Sequence, residues 1–230
     1  MIKFPFERDR WYRLSDLRVF CDEVAQSRRS DPKLSSDIRL NRLPWSKLFN
    51  EELHPFRHFA DIREFPDTAE FKLSALYHPA VDLHFRWHQE VTIQVTIADV
   101  AWGSARDAGK AVRWLYEYLE HSLFAFGGGG TRKVNGALIS EPRVLTSEDR
   151  IEACVKALQV ALVRKLHSAG RADWLLVYAR GFATQLIDGG IDQLKQELSR
   201  ISEMNIEPYS QIFVFEGVEG LHPTLIIHPT

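Results

Sequence analysis

The segment 81-VDLHFRWHQEVTIQVTIAD-99 constrains the fold more than any other part of the chain. Val81, Leu83, Phe85, Val91, Ile93, Val95 and Ile97 are odd-numbered and apolar, whereas Asp82, His84, Arg86, Glu90, Thr92, Gln94 and Thr96 are even-numbered and polar. A period of two is the mark of a half-buried strand, so the segment reads as two strands joined by a tight connection. If the even residues of both strands share one face, opposed positions must have an even sum, which excludes a two-residue loop. A three-residue loop, Trp87-His88-Gln89, pairs Arg86 with Glu90, His84 with Thr92 and Asp82 with Gln94. The last pair sets two oxygen-bearing side chains side by side, with Cβ atoms about 5 Å apart. That spacing suits a metal ion and is equally ordinary strand chemistry.

On either side of this hairpin the apolar period changes to that of helices. Leu14, Leu17, Phe20 and Val24 predict a helix over 16–29, followed by a polar stretch, SRRSDPKLSSD, that reads as a loop. Trp45, Leu48, Phe49, Leu53, Phe56 and Phe59 share one face of a second helix, in which Pro55 either kinks the chain or opens the second half. Strands are expected over 71–76, 80–87 and 90–98. An amphipathic helix over 104–126 then places Ala108, Val112, Leu115, Leu119 and Leu123 inward and stops at the glycine run 127–130. The region 131–146 is irregular, with a short strand at 137–140. A helix capped by Thr146 or Ser147 carries Ile151, Val155, Leu158, Leu162 and Leu166 and closes at Gly170. The continuously apolar run in DWLLVYARG suits a central strand, covered on both faces and lying beside 90–98. A further helix presents Ile191, Leu194, Leu198 and Ile201, and strands at 211–215 and 224–227 complete the chain. The order suggests an N-terminal helical extension, 1–44, and an α/β domain, 45–230, although no linker-like composition separates them.

With 230 residues, 45% of them hydrophobic, the chain has enough apolar surface for a substantial core. A net charge of −2 argues against a generic nucleic-acid coat, which would be basic overall, but allows a local basic groove. Basic residues do gather, as Arg28-Arg29, Arg39 with Arg42, Arg132-Lys133, and Arg164-Lys165 with Arg171. Any one of these clusters reads first as a solvated face or a helix end, where cations suit the macrodipole. No apolar run has the length of a membrane span, and MIKFPFERDRWYRLSD is charged and aromatic rather than an export signal, so a soluble, cytoplasmic protein is expected. Cys21 and Cys154 lie in apolar helical patterns without a CxxC neighbour, which predicts free buried thiols.

The order helix, three-strand meander, helix, strand, with an acid early in the second strand and a polar pair spaced by one residue in the third, resembles the PD-(D/E)XK superfamily of restriction-endonuclease-like nucleases. The resemblance spans roughly residues 45–180. It implies an α/β fold with a restriction-endonuclease-like core, a mixed sheet and extra N- and C-terminal elements. In that superfamily the strand acids hold a divalent metal, a lysine steadies the attacking water, and a glutamate often arrives from the preceding helix. By this resemblance Asp82 in HPAVDL takes the place of the first acid, Gln94 in IQVT that of the second, and Thr96 that of the lysine. Glu52 in FNEELHPF takes the place of the helical glutamate, with Glu51 as its rival. Mg²⁺ or Mn²⁺ held by Asp82, Gln94 and Glu52 would be the implied cofactor.

The departures bear on activity. Glutamine offers a metal a carbonyl oxygen but no charge, and threonine cannot replace a cation. Lys110 is a candidate substitute lysine that also reads as an exposed helix residue, and Glu90 is an alternative second acid at the hairpin end. Other motifs carry less. GGGGTRK lacks the Ser or Thr after lysine that a P-loop needs. His54 and His58 have metal-ligand spacing without an HExxH glutamate. 66-PDTAEFK-72 compresses into one segment acids that must arrive from two strands. Two functional classes remain: a metal-dependent nuclease acting on phosphodiester bonds of DNA or RNA, and a catalytically inactive nuclease-fold module that binds nucleic acid or protein within a larger assembly.

Overall fold

In the computed structural model the described residues are 2–75, 81–99, 131–134, 137–140, 147–166, 172–180, 196, 209–216 and 225–227. The helices expected over 104–126 and 191–201 therefore lie outside the described residues, apart from Gln196, which is helical. Lys110 and the glycine run at 127–130 also lie outside them.

The hairpin forms in the expected register. Strand β3, Leu83–Arg86, pairs antiparallel with β4, Glu90–Asp99, through Leu83 with Ile93, His84 with Thr92, Phe85 with Val91 and Arg86 with Glu90. Strand β1, Trp11–Arg13, and strand β2, Glu70–Leu73, extend the sheet on the β3 side. A two-stranded ribbon of β5, Thr131–Val134, and β6, Ala137–Ser140, stands apart from it. On the other side of β4 the pairing becomes parallel, with β7, Trp174–Arg180, and then β8, Gln211–Phe215. Strand β9, Leu225–Ile227, closes the edge antiparallel to β8. The result is a mixed seven-stranded sheet ordered β1-β2-β3-β4-β7-β8-β9. As expected of a central strand, Leu175 and Val177 in β7 are wholly buried.

Helices cover both faces of this sheet. Helix α1, Leu14–Ser30, turns Leu14, Leu17, Phe20, Cys21 and Val24 inward. It shares one core with Phe49, Leu53, Phe56 and Phe59, and with Ile93, Val95, Leu176, Phe213 and Phe215 of the sheet. Residues set apart by sequence as 1–44 thus belong to the same core as the strands. Arg18 of α1 anchors this arrangement by bonding Asp61, Asp67 and the Phe65 carbonyl. Helix α5, Ser147–Leu166, lies on the opposite face, where Cys154, Leu158 and Leu162 pack on Leu175, Val177 and Val214. Both cysteines are free and buried. Among the described residues no helix is long and apolar enough to cross a membrane.

Two helical features differ from the sequence reading. The stretch read as a loop contains α2, Pro32–Arg39. Asp31 accepts a hydrogen bond from the Leu34 N–H at 3.0 Å and Pro32 occupies the first turn, so a polar Asp-Pro pair starts a helix here instead of breaking one. The second helical pattern has three parts: a single turn α3, Ser46–Leu48, a π-helical segment, Phe49–Leu53, and α4, His54–Ile62. Pro55 has no N–H to give to the preceding turn and its ring crowds that turn's carbonyl. The wider π turn, in which the His54 N–H reaches the Phe49 carbonyl, accommodates it without bending the apolar face away from the sheet.

Candidate functional site

The even–odd pattern breaks at Asp82. Leu83 and Phe85 face the α1 and α4 side, yet Val81 packs with the α5 side, so the chain twists between 81 and 83. The Asp82 N–H bonds the Ile93 carbonyl at 2.9 Å, one residue short of the Gln94 partner that a regular ladder would supply. Strand β4 continues beyond the end of β3, leaving its Val95 N–H without a β3 carbonyl. The Asp82 carboxylate takes that N–H at 2.7 Å. The Asp82 backbone carbonyl receives the Ser74 N–H at 3.1 Å, which ties the same point to the end of β2.

Glu52 approaches from the π-helical segment, which packs against β4. Its Oε2 is buried and has no hydrogen-bond partner among the described residues. Burial, then the negative charge of Asp82, push the Glu52 pKa up to about 8, against the pull of Arg8 and Lys165. Burial raises the Asp82 pKa as well, opposed by Lys165, the Val95 amide and Arg8. Two carboxyls and two cations therefore act on one another where β3 ends. Arg8 is held there by donating to the Ser74 carbonyl at 2.6 Å, and Lys165 comes from the last turn of α5 on the far side of the sheet.

Gln94 and Thr96 are both buried on the α5 face. The Gln94 side-chain oxygen accepts a hydrogen bond from the Tyr209 hydroxyl, and no hydrogen bond joins Gln94 to Asp82. The oxygen that a metal would take is thus occupied by a buried phenol. Glu90 lies at the hairpin end, bonded to His84 at 3.1 Å and remote from Asp82 along β3. Glu51 is within 4.0 Å of Lys47 on the helix surface. Of the four positions singled out by sequence, the fold brings Asp82 and Glu52 into one electrostatic unit and turns Gln94 and Thr96 into the packing beneath it. Lys165 and Arg8 were not singled out by sequence. Lys165 was visible only as a helix-end cation, and Arg8 lies 74 residues before Asp82 with no spacing rule to connect them.

Among the described residues no three His, Cys, Asp or Glu side chains gather as a metal site. What the pair Glu52 and Asp82 offers is two oxygens in a partly buried place where ionising both is costly without a cation. That is the condition in which a divalent ion, or a shared proton, stabilises paired carboxylates. No protein-family model, no curated protein and no solved structure matches this chain.

Proposed function

We propose that the chain is a divergent restriction-endonuclease-like protein in which Glu52 and Asp82 hold Mg²⁺ or Mn²⁺ and act on the phosphodiester backbone of nucleic acid. The observation that carries this reading is the coupling of two half-buried carboxyls at the point where β3 ends, one of them with a buried, unpartnered oxygen and a pKa pushed up to about 8. The strand order supports it: an antiparallel meander, β2-β3-β4, continues into parallel β7, with helices on both faces. Two carboxylates suffice for Mg²⁺, which completes its shell with water and substrate phosphate oxygens. When bound, such an ion polarises a phosphodiester and makes water more acidic.

The protein's own groups supply the remainder. Lys165 adds positive charge beside both acids, which is the role of the lysine that Thr96 cannot fill. Arg8 adds a second positive charge, and the Val95 amide holds the Asp82 carboxylate in a single orientation. Tyr209 orients Gln94, which keeps β4 packed against the α5 layer.

A second reading, a non-catalytic module on the same fold, is favoured by the burial of Gln94 and Thr96 and by the engagement of the Gln94 oxygen. One experiment separates them. The wild type and Asp82→Asn are incubated with labelled DNA and RNA with Mn²⁺, Mg²⁺ or EDTA, and thermal unfolding is followed under the same conditions. A nuclease shows metal-dependent cleavage that falls by orders of magnitude in Asp82→Asn, together with a Mn²⁺ stabilisation lost in that variant. Metal-independent unfolding with no cleavage leaves only the binding module.

A further inference from the structure

Among the described residues, the buried side-chain oxygens without a hydrogen-bond partner are Glu52 Oε2 and Ser74 Oγ. Leaving such atoms unpaired in the interior is costly, so they mark a place where an ion or a water binds. Ser74 directly follows β2 and is only 1% exposed. It lies one pair beyond Leu73 and Leu83, opposite Asp82, and its N–H bonds the Asp82 carbonyl at 3.1 Å. Opposed positions of an antiparallel pair have Cβ atoms about 5 Å apart, which makes the Ser74 and Asp82 side chains neighbours. The backbone here is fixed from a third segment: Arg8 donates to the Ser74 carbonyl at 2.6 Å, and the Asp9 N–H bonds the Leu73 carbonyl at 2.9 Å. Of the two Asp82 oxygens, one takes the Val95 amide, and the other accepts no hydrogen bond among the described residues.

We infer that Ser74 is the third protein ligand of the divalent cation assigned above to Glu52 and Asp82, its hydroxyl standing in for the oxygen that Gln94 gives to Tyr209. The three donors come from three elements: Ser74 from the end of β2, Asp82 from the entry to β3, and Glu52 from the π-helical segment packed on β4. Hard cations such as Mg²⁺ and Mn²⁺ take oxygen ligands, and a serine hydroxyl is one that Mg²⁺ accepts in other phosphate-handling sites. A hydroxyl adds a donor without adding a third negative charge to a partly buried place. It could also donate directly to the Glu52 oxygen, yet both atoms are unpartnered, so the fold does not make that bond. One cation serves Ser74 Oγ, Glu52 Oε2 and the second Asp82 oxygen together. Asp82 is half-buried, which leaves the site a route from solvent.

This inference rests on the metal reading of Glu52 and Asp82, and metal binding in the absence of nucleic acid tests it. The wild type, S74A, S74C and D82N are titrated with Mn²⁺, followed by the loss of the free-ion EPR signal and by thermal unfolding, and with Cd²⁺ by thermal unfolding. In EDTA, S74A should unfold at the wild-type temperature or above, because it removes a buried hydroxyl that has no partner. Its Kd for Mn²⁺ should rise by about tenfold or more, the loss expected when support of a metal site is removed. S74C offers a soft sulfur in place of oxygen and should bind Mn²⁺ more weakly and Cd²⁺ more tightly than the wild type, a reversal that a packing role would not produce. Unchanged Mn²⁺ affinity in S74A, or a wild-type order of metals in S74C, would overturn the assignment. So would a clearly lower unfolding temperature of S74A in EDTA, which would identify a structural water as the partner of the hydroxyl. If D82N abolishes Mn²⁺ binding while S74A binds like the wild type, the Ser74 assignment fails alone. If the wild type binds no Mn²⁺, the metal reading fails and the Ser74 assignment with it.

Discussion

Glu52 is the residue whose chemistry departs furthest from its ordinary state while still near neutral pH. Its carboxyl ionises near pH 4.5 when solvated and near 8 in the fold, so between these values the unfolded chain loses a proton that the folded chain keeps. The unfolded state then binds fewer protons, and stability falls as pH rises, by up to about 1.4 kcal/mol per pH unit. Glu52→Gln removes that liability. Its stability relative to wild type should therefore grow by at least about 1 kcal/mol between pH 5.5 and 7.5 in EDTA, measured by denaturant unfolding at each pH. An unchanged difference across that range would remove the basis for treating Glu52 as a strained acid. Tyr209 poses a different test. Tyr209→Phe leaves the buried Gln94 oxygen without its donor and should cost about 1–3 kcal/mol whether or not Mn²⁺ is present. A metal-dependent cost would instead identify Gln94 as a ligand. Asp82 was legible in sequence because it is a carboxylate in an alternating strand, but its bond to the Val95 amide was not. That bond exists because β4 outruns β3, and strand ends are set by neighbouring elements.

Among the elements, α2 shows how local chemistry can oppose composition. A run of Ser, Arg, Asp and Pro suggests a loop on average, whereas Asp31 followed by Pro32 is an N-cap and a first-turn proline, and Ile38 is buried at the far end. Asp31→Ala should cost about 1 kcal/mol through loss of the cap, read as a lower denaturation midpoint. An unchanged midpoint would mean that the helix is held by packing alone. The π-helical segment was half-legible. Pro55 marked an irregularity, and the apolar spacing Phe49, Leu53, Phe56 and Phe59 showed which face stays on the sheet. Which way the chain would accommodate the proline, by a kink or by a wider turn, depended on the flat surface offered by the strands beneath.

For the molecule as a whole, the first 44 residues are a part of the core and not an appendage. Leu14, Leu17, Phe20 and Val24 are buried in the same cluster as Phe56, Phe59 and Phe85, and β1 pairs with β2. Burying each of the larger of these side chains contributes about 1.5–3 kcal/mol, a sum comparable with the net stability of a domain. A chain beginning at residue 45 should consequently lose cooperative thermal unfolding and become prone to aggregation. A sharp transition in that truncated chain would establish an independent 45–230 domain. Periodicity by itself determined the hairpin and its register over 83–93, the buried central strand Trp174–Arg180 and the inward faces of α1 and α5, because hydrophobic spacing and turn length are local properties, whereas Asp82 and Glu52 became candidates through the resemblance to the nuclease superfamily. The tertiary structure alone decided that the charges of Asp82, Lys165 and Arg8 act on Glu52, and that Gln94 gives its oxygen to Tyr209. Those pairings join residues far apart in the chain. They depend on how helices settle on the two faces of the sheet, and the pattern of any single segment carries no information about that packing.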